Sequence, residues 1–136
     1  KSEKRNGEDK RLRDLVERTA QEVVPRLLGD DRLGFDKAGN GKPVTPVIVH
    51  GDLWSGNTGV GKICRASRGQ ADEEEEEVVG DVVYDPSSCY AHSEFELGIM
   101  KMFGGFGGQF YKVYHQIVPK TEPVEEYDDR IDLYEL

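Results

Sequence analysis

The sequence predicts an α+β domain, mostly helical, with one small β-hairpin at its centre. Three observations carry this. Leu12, Leu15, Val16, Ala20, Val23, Val24, Leu27 and Leu28 recur at three- and four-residue steps, the repeat of one helix face. Three short apolar runs, Val47 to Val49, Thr58 to Cys64 and Val78 to Tyr84, have the length and the bounding turn residues of strands. Beyond Pro86 the helical repeat returns and holds to the last residue.

The first helix is expected from Asp9, with Gly29 as its stop. Pro25 lies inside the pattern and is expected to kink that helix or end it early, because it has no N–H and its ring crowds the preceding turn. Gly29 to Pro46 is rich in Gly, Asp and Pro without periodicity and reads as an exposed connector, with Asn40-Gly41 as a turn dipeptide. The second and third strand runs are expected to pair, and Pro86 ends the latter because it cannot donate to a ladder. Between them, residues 65–77 include the acids Asp72 to Glu77, which repel one another and predict a flexible, solvated hairpin tip. Ser93 and Glu96 have the spacing of a capping box. The helix they open is expected to bury Phe95, Leu97, Ile99, Met100 and Phe103. Gly104 to Gly108 follows a helix rather than a strand, so it reads as a bend and not as a phosphate loop. A helix over Gln109 to Val118, stopped by Pro119, and another beginning near Val124 complete the chain.

Charge narrows the function classes. Eighteen basic against 27 acidic residues leave a net charge of −9 over 136 residues. That excludes the basic patch of a nucleic-acid surface and gives no attraction to an anionic membrane. No apolar run approaches the roughly 20 residues of a membrane span, and no apolar segment follows the polar start as in a secretory signal. The expected compartment is the cytoplasm, where Cys64 and Cys89 remain reduced thiols.

The chemistry concentrates in His50-Gly51-Asp52-Leu53-Trp54-Ser55-Gly56-Asn57, a loop between strand runs. An Asp followed after four residues by an Asn is the spacing of the H-R-D-L-x-x-x-N loop, where the Asp takes the proton of an attacking hydroxyl and the Asn holds magnesium. On spacing alone, a turn cap for Asp52 and a tight bend at Asn57 account for the pattern equally well. Asp85 shifts the balance. It ends the strand expected to pair with the one after the loop, so the hairpin should return it close to Asn57. One base and two oxygen ligands then meet, enough for a magnesium ion whose other positions are filled by phosphates and water. Trp54 can either stack on a sugar or pack under the loop. Glu94 and Glu96 sit in a helical first turn, where capping and dipole stabilisation compete with a supporting or substrate-amine contact. His50 is expected to brace the loop; His92 and His115 are expected to be structural.

HGDLWSGN, then VVYDPSSCYAHSEFELGIMKMFGGF, then FYKVYH with IVPK, resembles the fructosamine kinase family, the ketosamine-3-kinases. The likeness runs from about the first helix to the end of the chain and is densest between Val47 and Lys120. It implies a protein-kinase-like C-terminal lobe and ATP- and magnesium-dependent phosphorylation of the 3-hydroxyl of fructosamines or ribulosamines, on small amines or on glycated protein lysines, as in deglycation repair. Carried over, Asp52 is the base, Asn57 and Asp85 hold magnesium with its ATP, and Trp54 and Glu94 are candidate substrate contacts. Gly51 stands where protein kinases place an arginine that senses a phosphorylated activation loop. The glycine-rich loop, strand lysine and helix glutamate of a complete kinase do not precede the first helix. Residues 1–136 are therefore expected to be part of a C-terminal lobe, with the N-terminal lobe and last helices absent. Alone, the chain is expected to be inactive and prone to self-association through uncovered apolar surface. A non-catalytic kinase-like binding module, or a small-molecule kinase of the aminoglycoside or choline type, are the competing readings. The retained Asp52, Asn57 and Asp85 speak against the first, HSEFEL and MFGGF against the second.

Overall fold

A computed structural model describes residues 7, 9–63 and 78–136. The acidic stretch expected as a hairpin tip lies outside them, as does Cys64. Helix α1 (Lys10–Arg18) begins where the Asp9 side chain accepts from the Leu12 N–H, 3.0 Å, which satisfies one of the amides a helix start leaves open. The helix does not stop at Pro25. It passes through a π turn, Thr19–Val23, into α2 (Val24–Leu28). The Val24 N–H reaches back to the Thr19 carbonyl, so the ladder changes step immediately before the residue that has no N–H to give. Only the end of this amphipathic face is buried: Leu27 is enclosed, whereas Leu12, Leu15 and Val16 stay exposed.

The connector is tied down at Gly34, whose N–H donates to the Glu122 carbonyl at 2.8 Å. Its tip is closed by Asp36, whose carboxylate accepts from the Ala38 and Asn40 amides at 2.9 and 2.8 Å. Strand β1 (Val47–Val49) pairs antiparallel with β4 (Cys89–Ala91), a strand absent from the sequence reading. β2 (Thr58–Ile63) pairs antiparallel with β3 (Val78–Val83), in a register from Thr58 opposite Val83 to Ile63 opposite Val78. The architecture is thus α+β, with helices beside two small antiparallel sheets.

Helices α3 (Ser93–Phe103), α4 (Gly108–Ile117) and α5 (Tyr127–Tyr134) form the core around Leu97, Met100, Tyr127 and Ile131. α3 and α5 cross so closely at Gly98 that a Cβ there would lie 2.7 Å from Cβ of Tyr134. Phe95 and Ile99 are half-buried, and Phe103, expected inside, is exposed. Gly104 and Gly105 make the bend after α3 with φ of 70° and 97°, a region that glycine enters without steric cost. Among the described residues no helix is long and apolar enough to cross a membrane.

A buried polar network holds the chain between α4 and α5. Arg130, fully enclosed, donates to both Glu94 carboxylate oxygens at 2.7 and 3.2 Å and to the carbonyls of Thr121 and Pro123 at 2.7 and 2.9 Å. The Thr121 N–H donates to Glu94 at 2.8 Å. His92 meets the Tyr134 hydroxyl and the Thr121 Oγ1 at 2.9 and 2.8 Å. His115 meets the Tyr127 hydroxyl at 2.9 Å, so both histidines are structural.

Burial is the main cause holding the His92 pKa below its ordinary value of 6.5; Arg130 adds to it and Glu94 opposes it. The folded state keeps this ring neutral while the unfolded chain protonates it near that value. Stability is therefore complete above it and falls as pH drops through it toward the folded pKa. The urea midpoint is expected to decline from about pH 7 to 5, and His92→Gln is expected to flatten that slope.

Candidate functional site

The loop from His50 to Asn57 is shaped by its neighbours at each step. Gly51 has φ of +80°, and a Cβ on it would lie 2.2 Å from the Ser87 carbonyl oxygen. Only glycine fits where the segment after Asp85 passes so close. The residue at this position is thus fixed by contact with the opposite chain segment. Leu53, half-buried, packs against the helical core cluster and anchors the loop. Trp54 lies against Phe103, ring centroids 5.3 Å apart, and covers Gly56, where a Cβ would fall 2.2 Å from the indole. Gly105 closes over Ser55, with room for no side chain: a Cβ would come within 2.1 Å of Ser55 Cβ.

Asp52 and Asn57 meet. The Asn57 amide nitrogen donates to the Asp52 carbonyl at 2.8 Å and to its carboxylate Oδ2 at 2.9 Å. Asn57 is buried, and its own carbonyl accepts from the Tyr84 N–H at 3.1 Å, continuing the β2–β3 ladder by one step. The Tyr84 hydroxyl donates to the Gly56 carbonyl at 2.8 Å, and His50 Nε2 bonds the Tyr84 carbonyl at 3.1 Å. Three contacts thus hold Tyr84 to the loop and bring its neighbour Asp85 alongside. Asp85 is exposed, and it is the one non-glycine among the described residues with positive φ, 59°.

The remaining candidate carboxylate is placed elsewhere. Glu94 is buried against Arg130 and Thr121, so its oxygens serve the helical network and not the loop. The capping box does not form: the N-cap is His92, without a side-chain bond. Instead the Glu96 carboxylate turns to the loop, accepting from the Gly51 N–H at Oε2 and the Leu53 N–H at Oε1, each 3.1 Å. Its sequence signal was the i, i+3 pairing with Ser93, which pointed to a local partner and concealed one more than forty residues away.

The chain matches the family described as Fructosamine kinase over residues 1–136. It is 40% identical over 93 residues to the ketosamine-3-kinase of Mus musculus, covering 68% of this chain and 24% of that protein. A probable ketoamine kinase of Synechocystis is 38% identical over 117 residues, 84% of this chain and 30% of the relative. The chloroplastic protein-ribulosamine 3-kinase of Oryza sativa subsp. japonica is 38% identical over 123 residues, 83% of this chain and 31% of the relative. The chain belongs to the fructosamine kinase family. It spans less than a third of the length of these relatives.

Proposed function

We propose that residues 1–136 carry the phosphotransfer centre of an ATP-dependent kinase that acts on the 3-hydroxyl of ketosamines, fructosyl or ribulosyl, on small amines or protein lysines, within a protein-kinase-like C-terminal lobe. The tie from Asn57 to Asp52 on one side and to Tyr84, the neighbour of Asp85, on the other carries this reading. The names of the mouse and rice relatives support the ketosamine as acceptor.

Asp52 takes the proton of the acceptor hydroxyl as the phosphoryl group is transferred. The Asn57 amide nitrogen holds that carboxylate in place, which leaves Oδ1 as the ligand atom of the same side chain. An amide carbonyl and the Asp85 carboxylate are the hard oxygen donors magnesium takes, and nucleotide phosphates and water complete its shell. Asn57 and Asp85 would hold magnesium there, and its charge would offset that of the transferred phosphoryl. Trp54, half-buried against Phe103, is the aromatic ring of the loop that could stack on the sugar.

The exposed Leu12, Leu15, Val16, Ile48 and Tyr90 support self-association of the isolated chain. The isolated chain is expected to be inactive. The test therefore uses a polypeptide of the relatives' full length carrying these residues. Asp52→Asn should abolish phosphorylation of a fructosyl-lysine peptide, by roughly 10²–10⁴-fold or more, while magnesium-ATP still binds. Normal turnover in that variant would remove Asp52 from the role of base.

A further inference from the structure

The geometry points to Glu96 as the positioning residue of the loop that carries Asp52; the inference rests on the phosphotransfer reading above. Its two carboxylate oxygens accept from Gly51 and Leu53, the amides immediately before and after Asp52. A carboxylate has two acceptor oxygens at the spacing these N–H groups demand, whereas a carboxamide has one acceptor and would turn a donor toward the other amide.

The contrast with Glu94 gives this contact its meaning. The two acids stand two positions apart at the start of α3, so they leave the helix on opposite sides. Glu94 is paired with Arg130. Glu96 is also buried, at 8% exposure, yet among the described residues no Lys or Arg forms an ion pair with it. A buried carboxylate without a cation is costly, and among the described residues two backbone donors and the amino end of α3 offset that cost. Its partners hold the His50–Gly51 and Asp52–Leu53 peptides on either side of the base, while Asn57 fixes the Asp52 carboxylate itself. The next residue along α3, Leu97, is fully enclosed in the core, so the base is referenced to a helix fixed by core packing.

Glu96→Gln in the full-length polypeptide is the test, read by steady-state kinetics and by hydrogen exchange. The expected result is a kcat lower by roughly 10²-fold with KM for ATP and ketosamine changed by less than about threefold, as for a base slightly misplaced. Exchange should quicken in peptides covering residues 50–54 and stay unchanged in those covering 97–103. Glu96→Asp, one methylene shorter, should recover part of the kcat. An unaltered kcat in Glu96→Gln, or exchange that quickens equally across α3, would overturn the assignment. If the unsubstituted polypeptide phosphorylates no ketosamine, the phosphotransfer reading fails, and the exchange pattern still decides whether Glu96 holds the loop.

Discussion

Arg130→Met is expected to lower the stability of the fold by about 3–5 kcal/mol, the usual result of leaving one partner of a buried ion pair alone. Arg130 is fully enclosed, and four acceptor groups depend on it: both oxygens of Glu94 and the carbonyls of Thr121 and Pro123. Set against a total of about 5–15 kcal/mol, the loss should bring the chain close to unfolding at room temperature. Urea denaturation followed by circular dichroism measures it. Arg130→Lys should recover little, because an ammonium lacks the planar fork that serves a carboxylate and two carbonyls together. Adding Glu94→Leu to Arg130→Met should restore much of the loss by removing the stranded charge. A single variant with an unshifted midpoint would show that the pair contributes nothing to the fold.

Asp85→Gly should separate stability from activity. Asp85 holds φ of 59° and is followed by Pro86, which restricts the residue before it to extended conformations. Such strain costs of order 1–3 kcal/mol and persists where surrounding structure enforces it. Glycine relieves it, so thermal stability should hold or rise by up to about 1 kcal/mol. Phosphoryl transfer by the full-length polypeptide should fall by at least roughly 10²–10³-fold, the scale for losing one preorganised group at a developing charge. A destabilised Asp85→Gly would contradict the strain; an active one would remove Asp85 from the metal site.

The parts of this fold that the sequence showed are those governed by local periodicity and punctuation. The helices near Lys10, Ser93, Gly108 and Tyr127 and the β2–β3 pair follow from apolar spacing and bounding turns. The meeting of Asp52 with Asn57 follows from loop spacing, and the return of Asp85 from strand pairing. Partners fixed by tertiary contact were not legible. Cys89–Ala91 forms a strand only because β1 lies beside it. Ser93 and Glu96 spell a cap, yet the carboxylate finds two loop amides that no local pattern announces. Glu94 read as a first-turn acid, for the helix dipole or a substrate amine, because its counter-ion, Arg130, lies on another helix. Pro25 predicted an interruption, and a single change of helical step absorbed it.

The β2–β3 register separates two requirements that would otherwise compete. Thr58 and Val83 form its first rung, next to Asn57 and Tyr84, while Ile63 and Val78 form its last. Six rungs place the two ends roughly 17 Å apart. Chain added or removed between Ile63 and Val78 enters the ladder beyond its last rung and leaves the first in register. Length and charge can therefore change at that end, giving new surface chemistry, while Asn57 and Tyr84 stay at fixed separation.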